Sequence, residues 1–558
     1  MKLRRIVLAL ALGAIAALSS NTLPSLLAQD KPQSSDVASD PILRALTAEL
    51  SRSQMQLKID NIGPPFYIEY RIFDVDQFQA GAAFGALQEQ SRSRLRLLRA
   101  TVRIGNYKVD SFYGPGIGIS DVVPIDNDEL ALRHDIWMAT DQAYKRAGEA
   151  LSSKQSLLNQ LSVDQPVDDF APAKAVQSFG APAKLEISDP SKWTKMLESA
   201  TAVYKQDPQI QSMTANLAFI AVTSYFVNTE GTTTRQGSIH YRITLSASEQ
   251  AADGMRLDRT PAYSTSRIEE LPTPEQLQAD SIKLLDNMKK LREAPIVDEE
   301  YRGPVLFSND AANDTIMALI VPNTLGRKPA PGRPARTTGA FASSYKARVL
   351  PDFISIVDDP TLDSFAGHSL AGSYKVDDEG VPVAPVTLVN NGQLVNFLIG
   401  RQPIRDLPTS NGHGRAGGNG TTGPAPGNFF VRAAKTSSVD DLKKQMIDIC
   451  RDRGLPYGYF VETLGGPLAP RVLYRVWVKD GHEEMVRGAI FNELDTRALR
   501  SDLLAAGNDP LVSNRAGIPF TSVISPSLLI DDLEVKRADN SNEKLPDYPA
   551  PALSSERN

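Results

Sequence analysis

The groups of this 558-residue chain that could do chemistry are few: one cysteine, five histidines and a handful of clustered carboxylates. The sharpest local match is Gly367-His368-Ser369-Leu370-Ala371-Gly372. It resembles a nucleophile elbow, which needs a strand immediately before the serine and a helix immediately after it. Here Asp359-Pro360 and a short loop precede Ser369, and Ser373-Tyr374 and acidic residues follow. Ser369 is the one candidate nucleophile, without the context an elbow requires. Zinc hydrolases bring two ligands together on a helix, as in His-Glu-x-x-His, with the Glu as base. His134, His240, His368, His413 and His482 are too far apart for this, and His482-Glu483 has no second histidine downstream. No metal ligands are therefore assigned to this chain. Asp377-Asp378-Glu379-Gly380 could bind a cation or a substrate amine, or could close a hairpin.

Two loops have unusual composition. Residues 411–428 contain seven glycines and include Asn411, Gly412 and His413. Such a loop lets backbone approach a ligand closely, but no Gly-Lys-Ser/Thr follows, so it is not a phosphate loop. Residues 324–348 carry Arg327, Lys328, Arg333, Arg336, Lys346 and Arg348 among prolines. They read either as an anion-binding patch or as a solvated loop.

The elements that must position these groups follow from periodicity. Leu43, Leu46, Leu50 and Met55 predict an amphipathic helix, and Leu132, Ile136, Ala139, Ala143, Ala147 and Leu151 a longer one. Trp193 to Tyr204 suggests another. Phe66–Ile72, Arg94–Ile104, Leu217–Val227 and Ser238–Ala247 read as strands, the last two joined by a turn at Asn228-Thr229-Glu230-Gly231. Residues 158–190 read as a surface excursion. Thr273, Pro274 and Gln276 have the spacing of a capped helix start. Beyond about residue 297 the chain breaks into short apolar runs, such as Phe353–Val357, Val386–Val389 and Leu473–Val478. One helix, Val439–Arg453, interrupts them. The expected fold class is α+β: a mixed sheet-and-helix domain over 40–296, then a β-rich, barrel-like domain over 297–540 and a flexible tail over 541–558.

Length allows two to four domains. A net charge of -6 gives no general drive toward nucleic acid. Lys2, Arg4 and Arg5 precede an apolar run from Ile6 to Leu18, with small residues up to Ala28. This is the pattern of a secretory signal peptide over 1–28. The apolar run is too short to span a bilayer. The mature chain is expected to be soluble and periplasmic or secreted, with no membrane partner. Cys450 alone cannot form an intramolecular disulfide.

The C-terminal half carries an ordered series of motifs. Ile356-Val357-Asp358-Asp359-Pro360 comes first, then Asp377-Asp378-Glu379-Gly380-Val381-Pro382 and Asn390-Asn391-Gly392-Gln393-Leu394. The loop at Asn411-Gly412-His413-Gly414, Gly488-Ala489, Ala506-Gly507-Asn508-Asp509 and Ser525-Pro526-Ser527-Leu528-Leu529 follow. The series resembles the TldD/PmbA (TldD/TldE) metallopeptidase family. Asn228–Gly231 and Gly303-Pro304-Val305-Leu306 extend the likeness over roughly 40–535. The resemblance implies a subunit paired with a related one. In that family the catalytic partner carries His-Glu-x-x-x-His on the helix after the Gly-Pro-Val-Leu strand, and a late cysteine. Here that helix, Asn309 to Ile320, has neither His nor Glu, and Val512 to Ser525 has no Cys. The resemblance therefore implies a zinc-less, PmbA/TldE-like subunit with no cofactor of its own. Zinc is expected in a TldD-like paralogue, and short or unfolded peptides as substrate. Asp377, Asp378, Glu379, Gly380, Asn411, Gly412 and His413 are the candidate groove residues. A stand-alone peptide-binding or scaffold protein, and a serine hydrolase using Ser369, remain open alternatives.

Overall fold

The computed structural model describes residues 34–113, 116, 118–161, 167–333, 336–466 and 468–538. The expected signal peptide and the tail lie outside these residues. The first half is built on one mixed sheet with strands β1 (Pro65–Ala83), β2 (Ala86–Ile104), β3 (Ile119–Val122), β4 (Gln177–Phe179), β5 (Ser212–Asn228), β6 (Thr233–Gln250), β7 (Arg256–Arg259) and β8 (Ala262–Thr265). The order is β3-β2-β1-β5-β6-β4, with β7 and β8 also on β6. β1 and β2 are each 19 residues long, well beyond the stretches that alternation marked. Their hairpin closes at Phe84-Gly85, with φ of 52° and 78°. Two positive φ angles are what a turn matching the sheet's twist requires, and Gly85 adopts its angle without strain. The expected turn between β5 and β6 forms, its backbone held by the Asn228 amide oxygen, which accepts from Glu230 (3.1 Å) and Thr232 (3.0 Å).

Side-chain alternation divides the sheet into two faces. Ile68, Tyr70 and Ile72 pack with helices Pro41–Gln56 and Glu129–Leu161. Farther along the same face, Phe78, Ala80, Leu217 and Ile243 pack with helices Pro190–Thr201 and Pro274–Glu293. The last helix has its capping box at Thr273 and Gln276 as the spacing predicts. The opposite face presents Phe73, Val75 and Val222 to Ala416 and Phe520 of the second half. The excursion at 158–190 is a correction: the helix runs on to Leu161, Phe170 is buried, and Gln177–Phe179 joins the sheet edge as β4. Its scattered Pro, Ala and Asp hid the apolar side chains, Phe170 and Phe179 among them, that anchor it.

The second half begins with β9 (Tyr301–Phe307), which lies within a seven-stranded sheet. A six-stranded sheet, including Ile354–Asp358, Asn428–Ala433 and Thr521–Ser525, packs against it. Val305, Phe307, Tyr459 and Ile530 from one sheet and Ile356, Leu388, Phe429 and Val523 from the other share one apolar core. Neither sheet closes into a barrel. The expected barrel is thus two open layers, because the helix Asn309–Leu319 enters the core and apolar strand runs fit a sandwich as well as a barrel.

Buried arginines join the halves. The Arg401 side chain, with no solvent exposure, forms an ion pair with Glu230 (2.7 Å) of the β5–β6 turn. It also donates to the carbonyl of Ala171 (2.9 Å) and the Tyr67 hydroxyl (3.2 Å), and lies 4.1 Å from the Phe170 ring centre. Arg71 of β1 donates to the carbonyls of Gly420 (2.9 Å) and Asp378. Removing one partner of a buried pair leaves the other charged and unsolvated. Arg401→Ala is expected to lower unfolding free energy by about 3–5 kcal/mol in denaturant titration; a loss below about 1 kcal/mol, typical of surface pairs, would show that the seam does not depend on it.

Candidate functional site

A cleft of about 990 Å³ lies between the bare face of the N-terminal sheet and the loops of the second half. Phe73, Gln236, Gly237 and Ser238 line one wall, and Tyr374, Asp378, Arg415 and Phe520 the other. Gln236 ties the walls together, donating to the Val376 carbonyl (2.8 Å) and accepting from the Val376 amide (3.2 Å).

The β6 side of the cleft is an interrupted sheet edge. β4 pairs with β6 only over Thr233–Arg235, and β8 only over Tyr241–Thr244. Between them, residues 236–240 have a strand partner on the β5 side alone among the described residues. The Thr233 amide donates outward to Val176 (2.8 Å) and the Leu245 amide to Pro261 (3.0 Å). By alternation Gly237 and Ile239 turn their backbone groups to the same open side. Gly237 is small because a Cβ there would lie 2.5 Å from the Ala181 carbonyl oxygen. A glycine inside a strand accompanies close backbone approach.

The seven groove candidates come together but, apart from Asp378, do not line the cleft. Asp377-Asp378-Glu379-Gly380 forms the turn between the bridged residues Val376 and Pro382. The Asp377 carboxylate accepts from the amides of Glu379 (3.0 Å), Val381 (2.8 Å) and Gly414 (2.9 Å). Burial and then the neighbouring Glu379 raise its pKa, against the pull of these amides. Glu379 accepts from the Thr422 hydroxyl (3.0 Å) and the Arg401 amide. Gly380, at φ 83°, fits under Phe226 and Thr232. The Asn411 side chain bridges the backbone of Phe397 and Ile399. Gly412 accepts from the Tyr374 hydroxyl (3.0 Å). His413 is fully buried, its Nε2 3.0 Å from Asp358 and its Nδ1 3.0 Å from the Asn411 carbonyl. These side chains hold the glycine-rich loop in place, and that loop presents Arg415 to the cleft. Arg415 pairs with Asp378 (3.3 Å) and lies 3.8 Å from the Tyr374 ring centre, which leaves Nη1 buried without a hydrogen bond.

Ser369 lies in the second strand of a two-stranded hairpin, Ser364–Phe365 with His368–Ser369, turned at Ala366-Gly367. No helix follows. The hydroxyl is buried, donates to Glu270 (2.9 Å) and contacts the Thr265 hydroxyl (2.7 Å) and the Ser266 amide (3.1 Å). His368 is exposed, and no imidazole among the described residues bonds Ser369. Of the basic loop, Lys328 pairs with Asp169 (2.7 Å) and Arg336 with Asp406.

The helix Asn309–Leu319 and the late strands do meet, as the resemblance requires of a metal site. Asn309 donates to the Asp509 carbonyl (2.9 Å) and Asn313 to that of Leu511 (3.0 Å). At this junction Arg515 is ion-paired with Asp314 (2.8 Å). Burial, with Asp314 next, raises the pKa of Asp310 one turn away. A guanidinium among amides and carboxylates, without imidazole or thiolate, does not fit zinc. Among the described residues no group of three or more His, Cys, Asp or Glu is placed to hold a metal.

Ser369→Ala removes the hydroxyl that receives the Ser266 amide and donates to Glu270, which keeps only the Thr265 hydroxyl and the residue-369 amide. We expect a loss of about 1–3 kcal/mol in thermal or denaturant unfolding and no fluorophosphonate labelling of the wild type. A label that the variant loses would make Ser369 a nucleophile.

Comparison with known proteins agrees with this geometry. Residues 300–537 match the model of the PmbA/TldA metallopeptidase C-terminal domain. No curated protein matches the chain in sequence. Among solved structures, a candidate modulator of DNA gyrase from Thermotoga maritima has a TM-score of 0.59 at 16% identity, over 88% of this chain and 99% of that one. TldE from Thermococcus kodakarensis has a TM-score of 0.55 at 12% identity, over 84% of this chain and 96% of that one. A candidate modulator of DNA gyrase from Bacteroides thetaiotaomicron has 0.54 at 13%, over 88% and 98%. At these identities the structures attest to the fold alone, and residues 300–537 are what match the PmbA/TldA metallopeptidase C-terminal domain.

Proposed function

We propose that this chain is the non-catalytic subunit of an exported peptidase, cradling short or unfolded peptides beside a zinc-bearing TldD-like paralogue. The observation that carries the reading is the ion pair of Arg515 with Asp314. It stands at the junction of the helix and late strands where the resemblance puts the catalytic partner's zinc ligands. A fixed positive charge there opposes a dication directly. The cleft is nonetheless retained, with the open β6 edge along it. An extended peptide can add to such an edge through its own backbone, which gives affinity with little sequence demand. The basic start, apolar run and small residues of 1–28 support export.

The test is co-expression with each TldD-like paralogue exported by the same cell. A stable complex should form, burying well over about 1,000 Å², and cleavage of short peptides should require both chains. Changing the Glu of the partner's zinc motif should abolish cleavage, since it is the expected general base. Cleavage by this chain alone contradicts the reading. A chain that binds peptide but joins no paralogue favours the stand-alone binding protein. Ile239→Pro removes one outward amide while leaving the bonds to β5. Peptide affinity should fall about 5-fold, the equivalent of one net hydrogen bond, measured by fluorescence anisotropy with a labelled peptide; an unchanged affinity would place the peptide elsewhere.

A further inference from the structure

The charged side chains that line the cleft are Asp36, Asp363, Lys375, Asp378 and Arg415. Each of the carboxylates already has a partner in the protein. Asp36 lies 4.0 Å from Arg235, and Asp363 accepts from the Ser364 hydroxyl (2.9 Å). Asp378 Oδ2 accepts from the Ala416 amide (2.8 Å) as well as from Arg415. The cations are not matched in this way. Lys375 is exposed, and its side chain has no partner among the described residues. The Arg415 side chain is only 11% exposed; its Nε reaches Asp378 at 3.3 Å, while Nη1 is buried with no hydrogen bond.

A guanidinium presents its donors as a planar fork that fits the two oxygens of a carboxylate. A buried donor without an acceptor is costly, so the Arg415 fork is incomplete without a ligand. It is also held in place beforehand. The Tyr374 ring centre lies 3.8 Å from the guanidinium carbon, and the Tyr374 hydroxyl is fixed on the Gly412 carbonyl (3.0 Å). Asp378 engages Nε, which leaves the Nη groups for a ligand.

This stack stands at one end of the open β6 edge. The amides of Lys375 and Val376, the residues after Tyr374, both donate to the Gln236 side-chain oxygen (3.2 Å each). Gln236 begins the stretch 236–240 that neither β4 nor β8 covers. A peptide extended along that edge brings its end, or a side chain near its end, to the fork. We propose that Arg415 is the specificity-determining residue of the cleft and takes a carboxylate of the bound peptide, from its C-terminus or from an acidic side chain. The assignment rests on the peptide reading of the cleft. With the ligand in place, the charges of Arg415 and Lys375 balance those of Asp378 and the incoming carboxylate.

Fluorescence anisotropy with the full mature chain tests it. The probes are N-terminally labelled Ala-Val-Ala-Val-Ala with a free C-terminus, the same peptide as its C-terminal amide, and the amide of Ala-Val-Glu-Val-Ala. At least one carboxylate-bearing peptide should bind about tenfold more tightly than the uncharged amide, as one charge-assisted hydrogen bond provides. Which of them does so distinguishes the terminal carboxylate from the side-chain one. In Arg415→Gln this preference should fall below about threefold, whereas Lys375→Gln should keep most of it, because an ammonium supplies charge without the fork. The preference compares two ligands on one variant, so a reduced folded fraction does not change it. Equal affinity of the wild type for all the peptides overturns the assignment and leaves the peptide reading standing. Binding of none of them contradicts that reading and the assignment with it. A preference that survives Arg415→Gln, or that Lys375→Gln removes, also overturns the assignment.

Discussion

A guanidinium with no solvent exposure must find all its partners inside the protein, and Arg401 finds them in the other half of the molecule. Glu230, the Ala171 carbonyl, Tyr67 and the Phe170 ring all belong to the N-terminal half, while Arg401 follows the second-half strand Gln393–Leu394. The pair can be satisfied only when the halves meet in one orientation. Coulomb attraction at low dielectric is strong, but so is the cost of desolvation. The gain is therefore registration more than net stability. Arg71 repeats the device at the glycine-rich loop, and together they hold apart the two walls between which the cleft opens.

The buried carboxylates and imidazole of this loop region serve the same end. Asp377, Glu379 and His413 spend their hydrogen-bonding capacity on backbone amides and neighbouring side chains. Groups so committed are poor candidates for proton transfer, since moving a proton would leave buried partners unpaired. What they achieve is a rigid glycine-rich loop that places Arg415 and Asp378 in the cleft. At the helix Asn309–Leu319, the Arg515–Asp314 ion pair brings a positive charge to a junction that lacks the imidazole and thiolate a zinc site uses. The fold of a peptidase domain and the ligands of a metal centre are separable, because the helix packs through Ala311, Ala312 and Ile316 while its ligand positions are polar and replaceable.

Much of this was legible in the chain. Periodicity located the main helices, the capping residues Thr273 and Gln276 marked a helix start that forms as spaced, and Asn228–Gly231 marked its turn. The motif series pointed to the family that residues 300–537 match. What was not legible is physical in kind. Alternation underestimated β1 and β2, because β2 is exposed on both faces over residues 86–95 and such a stretch shows no period. The β4 edge strand is only three residues long and carries no strand signal of its own. A barrel and a sandwich place the same apolar residues inward, so short runs could not choose between them. Clustered carboxylates at 377–379 look alike whether they face a ligand or their own backbone, and only the partners at 414, 401 and 422 decide it. The interrupted edge of β6 is a property of where β4 and β8 stop, which no local pattern in β6 encodes.

The account rests on the proposal that this domain of metallopeptidase fold holds no zinc of its own. Elemental analysis of the mature chain, purified alone and dialysed against zinc-free buffer, addresses this directly. Zinc far below stoichiometry, unchanged when the chain is first incubated with excess zinc, is the result predicted. Near-stoichiometric zinc that survives dialysis would contradict it, and would require ligands to gather from histidines now seen far apart or locked, His413 foremost.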